Sequence, residues 1–89
     1  MISPRYNPHT GMMELAGPDW ELTYDLVNQT FRWAPPGSQS SYNVATNTYE
    51  VAPSGSRPQY NVAENRWVLA PDSWKPTYNV ATGRFEMVP

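Results

Sequence analysis

Tyr42-Asn43-Val44-Ala45-Thr46-Asn47-Thr48-Tyr49-Glu50-Val51-Ala52-Pro53 is the stretch on which the fold turns, because it returns eighteen residues later. The second copy is Tyr60-Asn61-Val62-Ala63-Glu64-Asn65-Arg66-Trp67-Val68-Leu69-Ala70-Pro71, and the third is Tyr78-Asn79-Val80-Ala81-Thr82-Gly83-Arg84-Phe85-Glu86-Met87-Val88-Pro89. Upstream, Tyr24–Pro35 is a looser copy and Tyr6–Gly17 the most diverged. Residues 1–89 are thus one short unit repeated five times, and repeats set the architecture before any other signal.

Numbering the unit from its Tyr, position two is Asn7, Asp25, Asn43, Asn61 and Asn79, and position six is Gly11, Gln29, Asn47, Asn65 and Gly83. An Asn or Asp side chain bonds the backbone two residues on, and Gly or Asn accepts positive φ. Positions three to six therefore read as the loop of a β-hairpin. Position eight carries Met13, Phe31, Tyr49, Trp67 and Phe85, and position twelve is proline in four copies. Proline ends the second strand because it cannot donate to a ladder. Placing position one opposite position eight makes Tyr24–Phe31, Tyr42–Tyr49, Tyr60–Trp67 and Tyr78–Phe85 cross-strand aromatic pairs. A two-residue turn at positions five and six would instead pair position three with eight. The Asx residue and Pro8 favour the first register.

The expected fold is all-β: five tandem hairpins in an elongated meander or spiral, with a small closed ring as the alternative. A lone hairpin is marginal in water, so stability must come from stacking on neighbours. The recurring aromatics are expected to form a core stripe, and the Ser-, Pro- and Gly-rich links to run extended.

Composition bounds the function. There are no cysteines, one histidine (His9), and a net charge of -2 with scattered basic residues. These features give no support to a disulfide framework, a Cys-rich zinc site or nucleic-acid binding. No apolar run is long enough to span a membrane as a helix, and the N-terminus lacks an apolar signal region. Glu14, Glu50 and Glu86 recur at position nine, with Arg32 and Val68 interrupting, a pattern expected of a solvated strand face. Asp19, Glu21 and Asp25 are the densest acidic cluster, without a Gly-rich cation loop. No nucleophile elbow or Ser–His–Asp arrangement is legible. No catalytic, cofactor or metal residues are expected.

Residues 42–49 resemble the second half of a kelch repeat, in which Tyr-Asp, a turn ending Thr-Asn and then Trp follow at this spacing. The kelch unit is more than twice as long and carries a paired-glycine strand missing here, so a full kelch propeller is excluded. Tyr78–Phe85, with Gly83-Arg84-Phe85, is similar to the tyrosine–aspartate repeats of bacterial wrapping shells, with one extra residue. Both resemblances imply a hairpin repeat used for scaffolding or recognition.

The functional expectation is a non-enzymatic structural or interaction protein in a larger assembly, with a phage virion cement, decoration or tail component as the specific form. Its partner would be another protein or further copies of itself. The alternative is a carbohydrate-binding module built on an aromatic ladder. Met12, Met13, Leu15, Trp20, Trp33 and Trp74 form the expected interaction surface, and the apolar first copy, residues 1–23, is expected to dock onto a partner.

Overall fold

A computed structural model describes all residues, Met1–Pro89. It contains no helix and ten strands: β1 (Ser3–Asn7), β2 (Met12–Ala16), β3 (Glu21–Asp25), β4 (Thr30–Ala34), β5 (Gln39–Asn43), β6 (Thr48–Ala52), β7 (Arg57–Asn61), β8 (Arg66–Ala70), β9 (Lys75–Asn79) and β10 (Arg84–Val88). Consecutive strands pair antiparallel into five separate two-stranded sheets. The register sets Tyr6 opposite Met13, Tyr24 opposite Phe31, Tyr42 opposite Tyr49, Tyr60 opposite Trp67 and Tyr78 opposite Phe85. The rival two-residue turn is thereby excluded.

Each turn is held as its chemistry dictates. Asn7, Asn43, Asn61 and Asn79 accept the backbone N–H two residues on through Oδ1, at 2.9–3.1 Å. Asp25 accepts from Val27 and Asn28 in the same way. The loop exit has positive φ in every copy: Gly11, Gln29, Asn47, Asn65 and Gly83. Gln29, with φ of 55°, is the residue least suited to that conformation.

The hairpins are not laid out in a line. Neighbouring hairpins pack in sequence, and β10 also packs on β2, bringing the fifth hairpin against the first. The molecule measures 29 × 26 × 20 Å, too short and too broad for an extended spiral of five units. Of the two arrangements open to the sequence, these contacts are those of the closed ring, and the elongated meander is corrected accordingly. No strand ladder runs between hairpins, so the ring is not a barrel.

The second strands β2, β4, β6, β8 and β10 surround a central cavity of about 420 Å³. The core is built from small residues. Position eleven (Ala16, Ala34, Ala52, Ala70, Val88) and position two (Asn7, Asp25, Asn43, Asn61, Asn79) are all at most 4 % exposed. Leu15, Val51 and Leu69 at position ten add the larger buried side chains. The aromatic stripe expected in the core is on the outside: Tyr6, Tyr24, Tyr42, Tyr49, Tyr60, Trp67, Tyr78 and Phe85 are 37–57 % exposed. Small and medium side chains fill these buried positions; Phe31 and Trp33 are among the aromatics that line the cavity, while the position-one tyrosines stay outside it.

Candidate functional site

Antiparallel pairing alternates hydrogen-bonded and non-hydrogen-bonded residue pairs, so every second residue points its N–H and C=O away from the partner strand. In β2 those residues are Met13 and Leu15, in β4 Phe31 and Trp33, in β8 Trp67 and Leu69. An exposed strand edge of this kind invites pairing with another chain. Here the preceding hairpin covers it with two side chains. Asn7 Nδ2 donates to Phe31 O at 2.7 Å and to Glu14 Oε2 at 2.7 Å, while Trp33 N–H donates to Glu14 Oε1 at 3.0 Å. Asn43 and Glu50 repeat the pair, with Leu69 N–H donating to Glu50 Oε1 at 3.1 Å. Asn79 and Glu86 repeat it across the point of closure: Asn79 Nδ2 donates to Met13 O at 3.3 Å, and Leu15 N–H donates to Glu86 Oε1 at 3.1 Å. The closing junction therefore has the same chemistry as a junction within the chain.

Glu14, Glu50 and Glu86 are half-buried caps for a neighbouring strand, which corrects the expectation of a solvated face. Positions two and nine lie on one face of the hairpin once the register is known, and that was the available signal. Two junctions depart from it. Val68 replaces the glutamate in the fourth hairpin, and Glu64 in the preceding loop substitutes. It accepts from Phe85 N–H at 3.1 Å and pairs with Arg84 at 2.8 Å. These two donors hold the Glu64 carboxyl below the usual glutamate range, the Phe85 N–H foremost. In the second hairpin the pair reads Asp25 and Arg32. No side-chain or backbone hydrogen bond joins hairpin two to hairpin three outside the link itself.

Trp20 and Trp74, from the first and fourth links, stack on each other at 5.5 Å with planes 13° apart. A Cβ on Gly17 would lie 2.7 Å from Trp20 Nε1, so the glycine that replaces the position-twelve proline makes room for that indole. Trp33 receives the Arg5 guanidinium over its ring at 4.0 Å and donates through Nε1 to Tyr6 O at 3.2 Å. Leu15 is buried, Met13 half-buried and Met12 exposed. Of the six residues singled out from the sequence, Met12 alone is strongly exposed, and the three tryptophans are occupied within the chain. The free edge of the first hairpin is taken by the fifth.

What the outer surface does offer is a rim at the loop end. The first loop residue is Leu26, Val44, Val62 and Val80 in successive copies, each 67–76 % exposed. Beside these tips stand the aromatic pairs, with ring centroids 5.1–5.3 Å apart. His9 leaves its loop to stack on Phe31 at 4.3 Å. No group of three His, Asp or Glu side chains is arranged to hold a metal ion. Comparison of the chain with protein-family models, curated proteins and solved structures gives no match.

Proposed function

We propose that the protein is a non-enzymatic interaction module that seats its loop rim on an apolar protein surface within a larger assembly. The observation that carries this is the apolar tip of four turns. Turn tips favour Gly, Pro, Asn, Asp and Ser, for reasons of φ and local hydrogen bonding. Leu26, Val44, Val62 and Val80 serve neither purpose and are not buried, so folding does not account for them. Exposed apolar tips repeated beside half-exposed aromatics match the composition of an interface. The Asn and Glu caps on β2, β4 and β8 disfavour edge-to-edge addition of further chains at those strands, which supports the rim as the contact.

Carbene footprinting of the isolated protein and of the assembly purified from its native source tests this. Val44, Val62 and Val80 should label readily in the isolated ring and be protected in the assembly. Equal labelling in both overturns the reading. A second reading, carbohydrate recognition, is favoured by the Tyr42–Tyr49 and Tyr60–Trp67 pairs, in which every residue is 42–50 % exposed.

A further inference from the structure

We infer that the cleft spanning the second, third and fourth hairpins is a binding site for an acidic saccharide, an inference that rests on the second reading, carbohydrate recognition. The chain has five arginines. Arg5 bonds the Gly17 and Trp20 carbonyls, Arg57 pairs with Asp72, and Arg84 pairs with Glu64. Arg32 and Arg66 make neither a side-chain hydrogen bond nor an ion pair, and both line the same pocket of about 290 Å³. Tyr49 and Trp67 also line it, and Thr46 and Thr48 offer hydroxyls.

Two carboxylates share this pocket, Asp25 and Glu50, and both are engaged elsewhere. Asp25 accepts from the N–H groups of Val27 and Asn28 and from Asn28 Nδ2. Glu50 accepts from Asn43 Nδ2 and Leu69 N–H. Arg66 adds to the charge attraction felt by Glu64 without forming an ion pair with it. Neither carboxylate pairs with Arg32 or Arg66, so both guanidinium groups keep their N–H donors for an outside anion.

The cause lies in the sequence of the junction. Where the other hairpins present Asn and Glu to the next strand, the second presents Asp25 and Arg32. Neither can reproduce the cap, since a carboxylate cannot donate to the Tyr49 carbonyl and a guanidinium cannot accept from Val51 N–H. The edge of β6 therefore lacks the side-chain cap found at the other junctions, and Arg32, which stands in place of the capping glutamate, stays unpaired and faces the same cleft as Arg66. Guanidinium groups take carboxylate or sulfate through paired N–H donors, and the faces of Tyr49 and Trp67 suit a pyranose ring. A sugar bearing either anion joins both halves of the cleft.

The test is a titration of the full chain, labelled at the arginine Nε, indole Nε1 and tyrosine ring positions, followed by NMR. The probes are a uronic-acid trisaccharide, its carboxyl-reduced neutral counterpart, a sulfated disaccharide, and acetate or sulfate alone. At least one acidic sugar should shift Arg32, Arg66 and Trp67 together. The neutral counterpart should bind at least roughly tenfold more weakly, the loss expected when one charge-assisted hydrogen bond is removed. Arg32→Gln and Arg66→Gln, both at exposed positions, should each weaken binding by about the same factor. Whether the carboxylated or the sulfated sugar binds more tightly identifies the anion.

Equal binding of acidic and neutral sugars overturns the inference, as does binding unchanged by both substitutions. Shifts produced equally by the free anions also overturn it, because they mark an ion site without sugar recognition. Neutral sugars shifting Tyr24, Tyr42 or Tyr78 while Arg32 and Arg66 stay still would preserve carbohydrate recognition and remove this pocket. No shift with any sugar overturns both.

Discussion

Glu86→Ala separates a closed ring from an open array. In the ring Glu86 accepts from Asn79 Nδ2 at 2.6 Å and from Leu15 N–H at 3.1 Å. Hydrogen bonds to a charged group contribute about 1.5–3 kcal/mol each, and a buried donor left unpaired costs about 1–3 kcal/mol. Asn79 keeps its contact with Met13 O, so the principal loss is at Leu15. Half-burial of the carboxylate places the total at the lower end, about 3 kcal/mol. A domain of this size has roughly 5–13 kcal/mol in all, so the effect is readily measured. Equilibrium urea unfolding reads it: with a slope of about 1.5 kcal/mol/M the midpoint falls by about 2 M. Glu14→Ala and Glu50→Ala make the same change at junctions where the chain is continuous, and all three losses should agree within about 1 kcal/mol. If Glu86→Ala is nearly neutral while the other two are costly, the fifth hairpin does not cap the first and the ring reasoning fails.

Three further outcomes follow from individual residues. Gln29→Gly should raise stability by about 0.5–1 kcal/mol in the same unfolding assay, because a left-handed conformation is strained for Gln and free for Gly. Gly17→Ala should displace the Trp20 indole, weaken its stack on Trp74, and lower stability by about 1 kcal/mol with loss of near-ultraviolet dichroism. Glu64 has a lowered folded-state pKa, so its contribution is present above the ordinary glutamate value of about 4.3 and is lost as pH falls through the lower folded value. Unfolding measured between neutral pH and about pH 3 should therefore show a shallower acid decline in Glu64→Gln than in the parent.

The period of eighteen, the Asx turns and the register were legible because each rests on local chemistry: an Asn two residues before the N–H it accepts, a Gly or Asn where φ is positive, an aromatic opposite a Tyr. Closure was not, since it depends on Asn79 and Glu86 meeting Met13 and Leu15 at the other end of the chain, and no local pattern ranks that above an open end. The aromatics were misplaced for a related reason. Their size marks them as core in a sheet packed face to face, whereas here the most buried positions, two and eleven, hold Asn, Asp, Ala and Val. Trp20 and Trp74 stood out as link residues, but that two distant links would bring them face to face required the ring. In the cleft, Arg32 was visible only as a break in the glutamate series. Its significance comes from the acids around it being already engaged.

Amide hydrogen exchange at position ten tests the capped ring most directly. Leu15, Trp33 and Leu69 donate to Glu86, Glu14 and Glu50, whereas Val51 and Met87 follow hairpins that carry Arg32 and Val68 in place of the glutamate. The account predicts that the first three amides are protected to a similar degree and that those of Val51 and Met87 exchange faster. Leu15 exchanging as fast as an open-edge amide, while Trp33 and Leu69 remain protected, would contradict closure of the ring.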